Sequence, residues 1–112
     1  MKYNISKELF EAVTGLNYSY CNNEGIVYLN DNGSKVQTPI LYNDFFFKCK
    51  EWAFEQEYLI LSGNNNFMYT CDIARRMTDD DWKCFQRVDS EQQAVFDACE
   101  YIIKGLMEES VL

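Results

Sequence analysis

Apolar positions along this chain recur first at helical spacing, then in alternation, then at helical spacing again, and the switches mark its elements. Leu9, Val13 and Leu16 follow helical spacing from Ser6, a suitable N-cap, with Ile5 and Phe10 placed as a hydrophobic staple and Gly15 as a stop. This predicts a helix over 6–14, and the polar and aromatic stretch 17–24 reads as a loop. Strands are expected over 25–29 and 35–41 around Asn30-Asp31-Asn32-Gly33-Ser34, a hairpin turn by its Asn-Gly pair. Pro39 cannot donate to a ladder, which places the second strand at an edge or a bulge.

Asn43 or Asp44 is expected to cap a helix running to about Gln56. Phe45, Cys49, Trp52 and Ala53 form its apolar face, with Phe46 broadening it. Phe47 and Phe54 fall off that stripe, so the helix is wedged between two neighbours or shows an apolar patch. If exposed, these two phenylalanines point to a homodimer. Tyr58 to Ser62 and Phe67 to Ile73 read as a hairpin around Gly63-Asn64-Asn65-Asn66. Trp82 to Val88 alternates, with Trp82, Cys84, Gln86 and Val88 on one face and Lys83, Phe85 and Arg87 on the other.

Ser90-Glu91-Gln92-Gln93 has the form of a capping box, and Val95, Ala98, Cys99, Ile102 and Leu106 give the last helix a continuous apolar stripe. Fraying is expected from Glu108 to Leu112. The order α-β-β-α-β-β-β-α contains no alternating βαβ units, so the expected fold is α+β: an antiparallel sheet of about five strands with three helices. Residues 1–112 read as one domain. Hydrophobic residues make up 47% and aromatics 16%, which is enough for a core without metal or disulfide staples.

Charge and chemistry narrow the function. The formal net charge of -8 disfavours direct nucleic-acid binding, which needs cations on phosphate, and it equally repels an anionic membrane. No segment has the apolar length of a membrane span, and the N-terminal residues lack a signal-peptide pattern, so a cytoplasmic location is expected. The five cysteines, Cys21, Cys49, Cys71, Cys84 and Cys99, lack zinc-ribbon spacing and read as small buried hydrophobes, with Cys21 the one in an exposed loop.

The chain contains no histidine. That removes the usual general base, the Ser-His and Cys-His pairs and the common zinc sites. The turn at Asn30 to Gly33 has calcium-loop spacing, but its first acidic ligand would fall on Tyr28. Asp79, Asp80 and Asp81 are the densest charge and read as a solvated loop rather than a magnesium site. With no phosphate loop or nucleophile motif, the reading is a non-enzymatic protein without cofactor or metal.

Two segments carry a resemblance. Lys48-Cys49-Lys50-Glu51-Trp52-Ala53 with Glu57-Tyr58-Leu59, and Glu91-Gln92-Gln93-Ala94-Val95-Phe96-Asp97-Ala98-Cys99-Glu100-Tyr101-Ile102-Ile103, resemble small open reading frames of phage and other mobile elements. The opening Ile5 to Val13 fits the same picture. The resemblance implies accessory cargo of a prophage or integron cassette, and it implies no catalytic residues. The expected function is binding a host or element-encoded protein partner, with Phe47, Phe54, Tyr58, Asp79, Asp80 and Asp81 as candidate contacts. Two alternatives follow from the same features: an acidic nucleic-acid mimic that inhibits a defence enzyme, and a small-ligand protein with an aromatic pocket between helix 43–56 and the sheet.

Overall fold

In the computed structural model, residues 3–36, 38–64, 67–75 and 82–111 are described, with side chains described as far as 108. The elements run α1 (Lys7–Thr14), β1 (Asn17–Cys21), β2 (Gly25–Leu29), β3 (Ile40–Leu41), α2 (Tyr42–Glu55), β4 (Tyr58–Asn64), β5 (Tyr69–Arg75), β6 (Lys83–Arg87) and α3 (Glu91–Val111). The α+β class is as expected, but the strands form two three-stranded antiparallel sheets rather than one of five.

The difference begins at 17–24. Tyr18 donates its backbone N–H to Glu11 at 3.1 Å, and β1 then pairs with β2, so most of the expected loop is strand. β2 therefore has two partners, and its hairpin toward 35–41 is reduced to a Leu29–Lys35 bridge and two pairs at β3, Gly25–Leu41 and Ile26–Ile40. Pro39 precedes β3, which fits its missing donor. At Gly25 the β3 backbone comes so close that a Cβ would lie 2.0 Å from the Ile40 carbonyl oxygen.

Capping explains the helices. Ser6 Oγ accepts the Leu9 N–H at 3.0 Å, and Gly15 closes α1 in the left-handed region at φ 72°. The N-cap of α2 lies two residues before the nearer expected one: it is Leu41, which makes no side-chain bond. Asn43 instead accepts from Gln92 of α3 at 2.9 Å. Ser90 does cap α3, accepting the Gln93 N–H at 3.1 Å. Gln93, however, does not close the box. It is buried and holds Asn4 at both backbone groups, at 2.8 and 3.0 Å, which pins the N-terminal segment to α3. Helix α3 continues to Val111, beyond the point at which fraying was expected.

The core lies between the helices and the sheets. Leu9 and Phe10 of α1, Phe45, Cys49 and Ala53 of α2, and Val95, Phe96, Cys99 and Ile102 of α3 are essentially sealed from solvent. An aromatic chain runs through it, Tyr18–Phe10–Phe45–Phe96, at centroid distances of 5.8, 5.7 and 5.5 Å. Sheet β1–β3 packs on α1 and α2, whereas β4–β6 packs on α2 and α3. The molecule measures 45 × 40 × 18 Å, and the thin direction accommodates one helix layer on one sheet layer. No described helix is long and apolar enough to cross a membrane.

Candidate functional site

The helix side of sheet β4–β6 is settled by its contacts. Tyr58, Ile60, Cys71, Ile73 and Phe85 pack into the core. Arg87, on the same side, forms a two-pronged ion pair with Asp97 of α3 at 2.6 and 3.2 Å, and Lys83 lies over the Tyr101 ring at 4.6 Å. By strand alternation Leu59, Leu61, Thr70, Asp72, Ala74, Cys84 and Gln86 occupy the opposite side.

That side carries large exposed apolar groups, although Ala74 is buried. Leu59 is 41% exposed, Leu61 62%, Trp82 50%, and Val88 just beyond β6 is 79% exposed. The register places Leu61, Asp72 and Cys84 in one row and Leu59 beside Ala74 in the next. Trp82, immediately before β6, lies at the same end. One end of the face is therefore leucine and tryptophan, with Asp72 as the carboxylate beside them.

Cys84 corrects the expectation that Cys21 would be the exposed thiol: Cys84 is exposed and Cys21 only half-exposed. The Asp72 carboxylate, which takes the Cys84 S–H hydrogen bond, raises the thiol pKa and keeps it protonated. An activated cysteine needs the reverse setting. Burial likewise drives Cys49 and Cys71 upward, as core thiols. Among the described residues no group of three Cys, Asp or Glu side chains is placed to hold a metal.

The residues singled out from the sequence are dispersed. Phe47 and Phe54 are exposed, 60% and 53%, and their seven-residue spacing puts them on one side of α2. Phe47 lines an open groove of about 750 Å³ between α2 and β2–β3, together with Tyr28, Pro39, Ile40, Lys48 and Glu51. This is the place where an aromatic pocket was expected, although the groove has only two aromatic walls. Tyr58 is half-buried against the core. Asp79, Asp80 and Asp81 lie outside the described residues.

Three acids of α3 are placed for internal work. Asp97 holds Arg87, Glu91 accepts the Ser62 hydroxyl at 2.9 Å, and Glu100 accepts the Ser6 N–H at 2.8 Å. They tether strands and the N-terminal segment to the helix rather than lining a single outer face.

Sequence reading missed Leu59, Leu61, Trp82 and Val88 as surface residues. In Tyr58-Leu59-Ile60-Leu61 both faces of the strand are apolar, so alternation gives no signal. The better clue is at β6, where Lys83 and Arg87 share a face with Phe85: two cations can lie inward when an aromatic ring and an aspartate receive them. No family model matches the chain, and no curated protein or solved structure matches it.

Proposed function

We propose that this chain is a non-catalytic protein-binding module whose partner docks on the open face of sheet β4–β6. The observation that carries this reading is the cluster of half-exposed Leu59, Leu61 and Trp82 on a face that no described element covers. Contiguous apolar surface beside polar groups is the usual character of an interaction site, and a tryptophan in it is a common anchor. Asp72 in the same face favours a partner surface that is apolar and offers a cation, in keeping with the net charge of -8. The protonated Cys84 and the tethered acids of α3 support binding rather than catalysis, and the tethering also weighs against a phosphate-mimicking role. The resemblance to accessory proteins of mobile elements is compatible with such a module and adds a host or element-encoded protein as the source of the partner.

The test is capture from lysate on immobilised chain, compared with Trp82→Ala and Asp72→Asn. A stoichiometric protein retained by the wild type and lost by Trp82→Ala is the expected result, with Asp72→Asn weakening retention mainly at low salt. Equal retention by all three chains, or none by any, sinks the reading.

A further inference from the structure

The described strands leave four sheet edges without a strand partner: β1 and β3 in one sheet, β4 and β6 in the other. Open edges are templates for pairing with another chain, and proteins normally blunt them with bulges, short strands, prolines or charges. Three of the four are blunted here. β1 shifts register between Tyr18 and Tyr20, β3 is two residues long and follows Pro39, and β6 carries Lys83 and Arg87. β4 is different. It runs seven residues in unbroken register with β5, and Tyr-Leu-Ile-Leu-Ser-Gly-Asn contains neither charge nor proline.

We propose that β4 pairs edge to edge with β4 of a second copy of this chain, antiparallel about a two-fold axis normal to the sheet, giving a six-stranded sheet. Such an axis keeps the open face open and the helix side covered, so only residues of the same face can meet. With the axis at Ile60, Ile60 meets its own copy and Leu59 meets Leu61 of the second copy, twice, as cross-strand apolar pairs. A chain of net charge -8 repels itself over most of its surface, and this strand is a place where backbones can approach without like charges between them.

The area requirement points to the same location. A five-pair ladder alone falls short of the roughly 1,000 Å² that a specific interface buries, so flanking side chains must contribute. They are present on both sides of the edge. Leu59 and Leu61 stand above it, and below it Lys50, Glu51, Phe54 and Glu55 of α2 share a cleft with Ile60. That cleft carries both signs of charge, which a two-fold axis can cross-match, and this favours a second copy over an extended peptide from elsewhere.

Pairing at the edge does not depend on docking at the face, and the test separates them. Light scattering on the full chain is expected to show a mass rising from one chain to two as concentration goes from low micromolar to millimolar. Amide exchange by NMR across that range is expected to slow by about ten-fold or more at every second residue between Leu59 and Ser62, while the edges of β1 and β6 stay unchanged. Leu59→Lys with Leu61→Lys is expected to raise the dimerisation midpoint by at least about ten-fold. Val88→Lys, on the open face but away from β4, leaves it in place. A single-chain mass at all concentrations overturns the proposal, as does a dimer without slowed β4 amides. So does slowing that appears only when a different protein is added. If the double lysine variant fails to fold, the exchange pattern of the wild type still decides.

Discussion

The two sheets share helix α2 and have the same number of strands, yet they are built to opposite specifications. Sheet β1–β3 is irregular and self-limiting: a shifted register, a two-residue strand, and backbones so close at Gly25 that no Cβ fits. Sheet β4–β6 is regular, with seven pairs on one side of β5 and five on the other. Irregularity closes the first sheet to further pairing, whereas regularity leaves the second able to accept a surface or a strand. Under the proposed function, the contrast leaves structure to one sheet and recruitment to the other.

The largest effect should come from what the two sheets share. Phe96 is fully buried and its ring meets Phe45, which meets Phe10 beneath β1–β3. Phe96→Ala is expected to cost about 3–5 kcal/mol in urea unfolding, with both sheets lost in one transition. Two separate transitions would break the comparison, because the sheets would then be independent bodies. Gly25→Ala comes next. Its methyl has to displace the Ile40 backbone, at about 1–3 kcal/mol, and the damage should be confined to β2–β3. Amide exchange that accelerates at Ile40 and Leu41 but not in β4–β6 is the expected pattern. Acceleration spread evenly over both sheets would count against a division of roles.

Legibility from the sequence follows the same division. The three helices were readable because capping and apolar spacing are local signals, and Ser6 and Ser90 do cap as their neighbours suggest. β1 was not readable. Asn17-Tyr18-Ser19-Tyr20-Cys21 has weak strand character, and it becomes a strand through Glu11 at its start and β2 at its side. The split into two sheets was equally hidden, because strands on either side of α2 can lie in one sheet or in two with the same local pattern. Gln93 looked like half of a capping box and instead secures Asn4, 89 residues away. The candidate surface was lost over Tyr58 to Leu61, where successive residues are all apolar. Phe47 and Phe54, being off the helix stripe, could lie against a second neighbour or in solvent on the same local pattern, and the structure exposes both.

Alkali provides a sharper probe of the first sheet. Burial, reinforced by its contact with Cys21, raises the Tyr18 phenol to about 12, and burial also raises Tyr42 at the start of α2. An unfolded tyrosine ionises near about 10, so the neutral phenol contributes stability in full below that pH. The contribution is lost as pH climbs toward the folded value, because the unfolded chain then releases a proton that the folded one retains. Tyr18→Phe should flatten the loss of stability between about pH 10 and 12, measured by urea unfolding at successive pH values. Buried Cys49 and Cys71 push in the same direction from about pH 9 and persist in the variant, so a residual slope is expected. An unchanged slope would mean that Tyr18 is not sheltered by the fold.

The smallest effect on folding is expected where the largest effect on recognition should lie. Leu61 is the most exposed large apolar residue of β4, on the far side of the sheet from α2 and α3. Leu61→Ser removes little packed surface and should change unfolding stability by less than about 0.5 kcal/mol. Ile60, its immediate neighbour, faces the helices, and Ile60→Ala should cost several times more, about 2 kcal/mol or above. The adjacent pair therefore tests the two sides of one strand under identical backbone conditions. If Leu61→Ser proves as damaging as Ile60→Ala, the open face contributes to holding the fold, and recruitment must move to the Phe47 groove on α2. If Leu61→Ser is silent in unfolding yet abolishes partner capture, the apolar side chain is retained for what it contacts outside the molecule.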